Sequence, residues 1–530
     1  MLEYHWFNDK ASVQAGAKRS IPTGGLIQMK KRKVVAMIAS VLAAVTLTGG
    51  YASANAEDTA SVLKDGNVVT LKMMFPGANS HPADMIEIQD EMNKIIQQTV
   101  DAQLELMPVE PGAYYDQENL ILSSGEKLDI LFVLNQSQEL ANRGQLLPMT
   151  DLIKDYGKDV DAAMGDYIKA CYVNNELYGL PTFHEYSQQG GLMCLADILD
   201  ETGYTTDDIK SWDDVENVLT KVKELYPDVY PLVTPEAGKG CFEYYYLGTF
   251  DTFLTYGVGC YADDDPSDGV EIINMYSTPE YKEMAERAYD WNQKGFFLPD
   301  ATTGTTQCYD YFRAGTGFGC ISLIHPGTVS ENSASSGQNI AVKALTPSVI
   351  TTAKVNFAQY AIPTQCVSPE KAMAVLNLLY TNSDMQNLFR FGIEGKDYVF
   401  TDKENGIVGY PDGVDASNVG WTNGLWLSGN SAIAYTFETD EPDIYEQFNR
   451  FNTEGRMSPL YGFAYDSSNC RNELSAISNV VNKYKDLIET GASDPAESLD
   501  KFNKELDQAG MQNVIEDYQA QVDTWLSSQQ

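Results

Sequence analysis

Hydrophobic positions near the start of the folded chain change their period at regular intervals. Val68 to Met73 is a β-rich run. From Pro82 to Gln98 the apolar residues Met85, Ile88, Met92, Ile95 and Ile96 recur at helical spacing. Gln103 to Val109 then alternates, with Leu104, Leu106 and Pro108 on one face of a strand. Tyr114 to Ser123 reads as a helix, and Leu128 to Leu134 as a strand buried on both faces. This β-α-β-α-β order predicts a parallel sheet covered on both sides. In such sheets ligands bind beyond the carboxyl ends of the strands, here Phe75 to His81 and Asn135 to Ser137.

The stretch from about Leu195 to Gly319 reads as mostly helical with loops. Ser211 is an N-cap, and the helix it opens runs to about Leu225 before Pro227 stops it. Tyr261 to Gly269 is an acidic turn. It fits a calcium loop poorly, because Pro266 falls on a ligand position and Met275 where a bidentate Glu is needed. It therefore reads as a solvated loop. Strand character follows at Ile321 to Ile324, Ala341 to Leu345 and Phe357 to Ile362, and Pro369 to Thr381 is a helix. Helices at Asn472 to Glu489, Pro495 to Ala509 and Val514 to Leu526 close the chain.

Composition narrows the function classes. The chain has 530 residues, 43% of them hydrophobic, enough for two or more cores. Its 36 basic and 75 acidic residues give a net charge of −39, which repels phosphate backbones and anionic lipids and makes nucleic-acid binding a poor reading. The eight cysteines form no CxxC pair and no Cys/His cluster at zinc spacing, so neither a metal nor another cofactor is expected. Their even number permits disulfides in an exported chain, and their wide, irregular spacing suits free buried thiols.

Export is written at the N-terminus. Met29-Lys30-Lys31-Arg32-Lys33 is a basic cluster, Val34 to Leu47 carries no charge, and Ala52-Ser53-Ala54-Asn55-Ala56 offers A-x-A cleavage sites. That order is a signal peptide over residues 29–56, with cleavage expected near Ala56-Glu57 and residues 1–28 read as a non-native upstream extension. Cleavage discards seven basic and two acidic residues and takes the net charge from −39 to −44. A lipoprotein signal would place a cysteine after Leu47-Thr48-Gly49, where this chain has Gly50, which cannot be acylated. Nothing later in the sequence is apolar for the roughly 20 residues that a membrane span needs.

Several short motifs resemble the extracellular solute-binding proteins of bacterial ABC importers, the sugar-type family 1 group. Gly144 to Leu152 (Gly-Gln-Leu-Leu-Pro-Met-Thr-Asp-Leu) is similar to a "G-x-L-x-x-L/M-T-D-L" segment. Tyr172 to Pro181, ending Leu177-Tyr178-Gly179-Leu180-Pro181, resembles the "G-K-x-Y-G-L-P" signature that precedes the first crossover between lobes. Ser211 to Asp214 resembles a "T-W-D/E-E" helix start, and Phe312-Arg313-Ala314-Gly315 an "F-x-x-G-K-A-A-M" stretch with Thr316 in the usual Lys place. Phe391 to Val399 is similar to the "G-I-E-G-K-x-Y" block of a subgroup with a C-terminal DUF3502 domain, whose closing pattern Gly462-Phe463, Ala509-Gly510 and Gln521 to Trp525 also fit.

The resemblance implies an α/β, two-lobed, type II periplasmic-binding-protein-like fold with hinge crossovers and a helical C-terminal region. The expected first lobe is 57–183 plus roughly 350–400. The second is 184–349 plus roughly 401–467, and 468–530 is the helical region. The resemblance also implies a carbohydrate ligand held between the lobes, and permease and ATPase partners that import it. Relatives in the subgroup are lipid-anchored, so Gly50 sets this chain apart. A monomer without a membrane span is expected.

Sugars present hydroxyls at their edges and C–H faces above and below the ring, so their sites combine aromatic platforms with Asp, Glu, Asn and amide groups. The candidates follow from position. His184, Glu185 and Tyr186 come just past Gly179-Leu180-Pro181; either they meet the ligand or the aromatics pack the hinge. Asn135 and Gln136 end a buried strand, and Asn79 stands in the matching loop of the first strand; each either contacts ligand or caps a turn. Tyr245 is a stacking platform or core packing. His325 follows Ile321 to Ile324 and lines the cleft or is structural. Trp421 and Trp426 offer a platform or fill a core. Replacing Glu185 by alanine is expected to weaken binding with little loss of stability.

Catalytic signatures are missing from the sequence: there is no G-x-S-x-G, H-E-x-x-H or Walker A motif. With this many acidic residues a chance carboxylate pair says nothing of a glycosidase. The reading is a binding protein and not an enzyme. Its alternatives are a receptor for a peptide or other small solute and a secreted carbohydrate-active enzyme.

Overall fold

A computed structural model describes residues 62–77, 82–235, 241–253, 256–299, 301–304 and 306–529. The expected signal peptide, the cleavage site and Asn79 lie outside these residues. Within them the chain crosses between two lobes three times. Strands β1 (Val69–Pro76), β2 (Ala102–Val109), β3 (Ile130–Leu134) and β4 (Leu180–Pro181) build the first lobe. The chain leaves through β5 (Ser187–Gln188) and forms β6 (Gly190–Leu195), β7 (Tyr230–Leu232), β8 (Gly317–Leu323) and β9 (Ile340–Ala344) of the second lobe. It returns through β10 (Val349–Ile350) to β11 (Ala358–Ala361), and leaves again at β12 (Arg456–Met457).

The first sheet has the order β2-β1-β3-β11-β4, parallel among β1 to β3 and antiparallel at β11. The five residues of β3 are all buried because both faces are covered: Ile130, Phe132 and Leu134 enter one core, Leu131 and Val133 another. Helices α1 (Met85–Thr99), α2 (Tyr114–Ser124) and α3 (Ser137–Asn142) supply those covers. The second sheet has the order β9-β6-β8-β7. The three crossover strands pair in the order β12-β10-β5, a small sheet that forms the hinge.

Second-lobe helices begin with α4 (Trp212–Leu225), capped by Ser211, whose side chain accepts from the Asp214 N–H. Then come α5 (Glu243–Thr249), α6 (Pro279–Gln293) and α7 (Thr328–Ser336). The stretch read as helical with loops also holds a small antiparallel sheet, Phe250–Phe253, Val258–Tyr261 and Ile273–Asn274. Its strands are too short for a period to show. The turn between its second and third strands is a loop in which Asp265 caps the Ser267 N–H, and no metal-holding group of three His, Cys, Asp or Glu occurs among the described residues. All eight cysteines are free, seven of them buried.

After the second crossover come α8 (Thr352–Val355), α9 (Pro369–Thr381), α10 (Ser383–Phe391) and α11 (Ile444–Glu454), and then α12 (Arg471–Glu489), α13 (Pro495–Gln508) and α14 (Met511–Gln529). Two boundaries differ from expectation. Trp421, Leu427, Ile444 and Phe448 pack into the first-lobe core, so most of 401–454 belongs there and not to the second lobe. The C-terminal helices are no separate body either. Ile477, Val481, Phe502, Leu506, Val514 and Val522 share one core with second-lobe residues such as Tyr281 and Trp291.

Candidate ligand-binding site

The Gly179-Leu180-Pro181 signature has a packing reason. A Cβ on Gly179 would stand 1.7 Å from Oε1 and 3.0 Å from Cγ of the buried Gln359 on β11, so a larger residue here would have to displace that side chain. The chain then turns into the first crossover. Thr182 N–H donates to the Ala358 carbonyl at 3.0 Å, and Phe183 N–H to the Gly429 carbonyl at 2.7 Å. Asn452 of α11 holds the rest. Its Oδ1 accepts from the N–H groups of Tyr186 (2.7 Å) and Ser187 (3.2 Å), and its Nδ2 donates to the His184 carbonyl (2.8 Å). The backbone beneath His184 and Glu185 is thereby fixed from two directions.

Around Glu185 the fold gathers charge from three segments. Lys354 of α8, on the second crossover, places Nζ 3.0 Å from Glu185 Oε1. His184 Nδ1 lies 3.9 Å from Oε2 and 2.9 Å from the Glu185 carbonyl oxygen. His325 follows β8 in the second lobe, with Nδ1 2.7 Å from the Pro326 carbonyl and Nε2 3.9 Å from Glu331 Oε2. Burial would raise the Glu185 pKa, but the Lys354 ammonium and the His325 and His184 imidazoles hold it well below the usual carboxylate range. Burial drives His184 down to about 4, so it is neutral at physiological pH, and its Nε2 is buried without a partner. Glu185 is therefore a fixed anion at the hinge, an acceptor for hydroxyl donors.

The first-lobe wall adds polar and aromatic groups. Asn135 ends β3 in the left-handed region (φ 55°) with its side chain exposed, and its N–H donates to the Phe357 carbonyl at 2.9 Å. This bond ties the strand end to the second crossover, three residues past Lys354. Gln136 beside it is half-buried. Trp426 lies edge-on to Phe132 of β3 at 5.5 Å and is half-buried.

The structure thus gathers His184, Glu185 and His325 at the hinge, while Asn135 and Gln136 stand at the end of β3 and Trp426 packs against Phe132 of that strand. Three candidates pack on the cores, two of them fully buried. Tyr186 is 0% exposed, and its hydroxyl donates to the Thr182 carbonyl at 2.9 Å, so it packs the hinge. Trp421 is 2% exposed, its indole N–H donates to the Phe389 carbonyl at 2.8 Å, and it fills the core against Phe75. Tyr245 sits edge-on between Trp212 and Tyr246 on the second-lobe core. Lys354 and Asn452 were missed. Neither lies in a motif, and burial of a lysine or asparagine leaves no periodic trace. The expectation for Glu185→Ala also changes, since the substitution would remove the 3.0 Å ion pair between the two crossovers and cost stability as well as binding.

Two lobes joined by three crossover strands, with a charged cluster at the hinge, have the architecture of a hinged binding protein. Residues 83–386 match the bacterial extracellular solute-binding protein family, and the chain belongs to it. Residues 459–527 match a domain of unknown function, DUF3502. A carbohydrate ABC transporter substrate-binding protein of Streptococcus pneumoniae is 27% identical over 499 residues, 93% of this chain and 97% of that protein. The crystal structure of the N-glycan transport solute-binding protein NgtS from the same species has a TM-score of 0.75 at 25% identity, covering 88% of this chain and all of that one. The NgtS structure in complex with Man5GlcNAc has a TM-score of 0.63, again at 25% identity, and covers 88% of this chain and 99% of that one. Members of the family are binding proteins and not enzymes. No helix among the described residues is long and apolar enough to cross a membrane.

Proposed function

We propose that this protein captures an oligosaccharide between its lobes outside the cell and delivers it to the permease of an ABC importer. The full-length match to a carbohydrate transporter's binding protein carries this reading. The site supports it: Glu185 accepts hydroxyls, Asn135 and Gln136 offer both donors and acceptors, and Trp426 offers a ring face to sugar C–H groups. His184 and His325 complete the polar floor. The unequal fit to the two NgtS structures is what lobes that move about a hinge would give.

A thermal-shift screen of the chain from Glu57 against mono- and oligosaccharides, amino acids and short peptides tests the proposal. A ligand bound only by the folded state raises the midpoint with concentration. A shift with one glycan class, with that glycan recovered intact, is expected. A shift with peptides alone would keep the fold and discard the sugar. Trp426→Ala is expected to weaken the glycan about tenfold, or ~1.4 kcal/mol, by calorimetry. An unchanged Kd would remove Trp426 from the site. We also propose export without a lipid anchor, for which intact mass of the exported protein should give an unmodified N-terminus near Glu57.

A further inference from the structure

The C-terminal helices move with the second lobe. Gln519 of α14 accepts from the Ile272 N–H at 2.8 Å and donates to the Val270 carbonyl at 2.8 Å. Asn503 of α13 bonds Asn274, and Lys485 of α12 pairs with Glu243 of α5 at 3.0 Å. Side-chain hydrogen bonds tie this region to the first lobe: Tyr461 donates to the Tyr167 carbonyl at 3.0 Å close to the hinge strand β12, and another lies farther along the chain. Gln138 Nε2, on α3 and three residues beyond Asn135, donates to the Tyr465 carbonyl at 2.6 Å.

That carbonyl is held from behind with unusual care for an irregular segment. The Tyr465 ring lies flat on Tyr518 at 4.3 Å and 13°, and its hydroxyl donates to Asp517 Oδ2 at 2.9 Å. Asp517 also accepts from Asn469 at 3.0 Å and from Gln521 at 2.8 Å. Gln521 brackets the next residue, accepting from the Asp466 N–H (3.0 Å) and donating to the Asp466 carbonyl (2.9 Å). All of these partners on α14 lie within residues 459–527, the domain of unknown function.

We propose that this C-terminal domain sets the angle between the lobes, with Gln138 latched onto a Tyr465 carbonyl that Asp517, Tyr518 and Gln521 keep in place. Gln138 belongs to the first lobe and Tyr465 to the second, so a hinge rotation that separates the lobes at this point breaks their bond. A single hydrogen bond of this kind shifts a two-state ratio by about two- to tenfold. Gln138 lies in the first turn of α3, two residues past Gln136, so ligand contact and latch act on the same strand-to-helix turn. Gln138 is thus a positioning residue. The proposal rests on the hinged-receptor reading, but its test needs no ligand.

The experiment measures interlobe distance in the ligand-free chain by pulsed electron resonance, with labels on unnatural amino acids at the exposed positions Ser123 of α2 and Lys501 of α13. Gln138→Ala should shift the distance distribution away from that of the parent with an unchanged melting midpoint. Gln138→Glu, which sets an acceptor against an acceptor, should shift it further, and Asp517→Asn should shift it in the same direction as Gln138→Ala. Distributions identical to the parent in Gln138→Ala and Gln138→Glu would overturn the latch, whatever ligand the protein binds. If the latch behaves as expected and no glycan binds, only the ligand assignment fails.

Discussion

Lys354→Met should destabilise the protein by about 3 kcal/mol at pH 7, the low end for a broken buried ion pair because the Glu185 side chain remains 17% exposed. Lys354 sits on the second crossover and Glu185 on the first, and they meet at 3.0 Å. Losing the ammonium leaves a carboxylate at the hinge with only His184, His325 and solvent. Neutral His184 supplies no full charge, since burial lowers its pKa to about 4. The freed Glu185 will titrate higher, so the deficit should shrink as pH falls toward 4. Glu185→Gln in the same chain should restore most of the loss, because it removes the orphaned charge. Denaturant melts of the single and double variants at pH 7 and pH 4.5 decide it. A single variant within about 0.5 kcal/mol of the parent would mean that the pair contributes nothing net, as many exposed pairs do.

A second large effect concerns acid and base. Glu118 of α2 is fully buried with neither carboxyl oxygen bonded, and burial, with help from Glu139, pushes it up to about 8. Burial likewise raises Glu489 of α12 to about 8, against the pull of Lys485, with Glu243 and Asp486 adding to the rise. Burial also lifts Asp397 to about 6, aided by its hydrogen bond with Asp84, and Asp251 to about 6. Each folded value lies above the ordinary 4.5 or 3.8. The unfolded chain therefore gives up these protons first, and their stabilisation is complete below about pH 4 and lost as pH rises through 6 and then 8. Glu185 has the opposite sign and loses its contribution only as pH falls below its ordinary range.

The melting midpoint should accordingly be highest near pH 5 and decline toward pH 8. Glu118 and Glu489 should each account for a few kcal/mol of that decline, since every tenfold change in proton affinity is worth roughly 1.4 kcal/mol. Net charge of −39 adds self-repulsion in the same direction, so the isosteric variants Glu118→Gln and Glu489→Gln are needed to isolate the buried groups. Each should raise the midpoint at pH 8 and leave it nearly unchanged at pH 5. A parent midpoint that climbs steadily from pH 5 to pH 8 would contradict the assignment.

Much of the fold is legible in the chain because its signals are local. The period switches between Val68 and Leu134 reappear as β1, α1, β2, α2 and β3, each within a few residues of its expected limits. Pro369–Thr381 is a helix as read, and Ser211 caps α4. The hinge signature Gly179-Leu180-Pro181 lies just before the first crossover, where Gly179 makes room for the Gln359 side chain. The short strands near Phe250 and the allegiance of 401–454 escaped, because two to four residues show no period and a linker's composition does not say which core its tryptophans enter.

The site divides along the same line. Sequence alone determined that Asn135 and Gln136 follow a buried strand and that His184 and Glu185 follow the hinge signature, because chain order fixes which loops follow which strands. Only the tertiary structure decided that Tyr186 and Trp421 are buried, that Trp426 is only partly so, and that Glu185 pairs with Lys354, 169 positions away. It also decided that Gln138 meets Tyr465 across 327 positions. Periodicity records which face of an element is apolar, whereas ion pairs, orphaned carboxyls and interlobe bonds depend on which elements pack together, and no local pattern carries that.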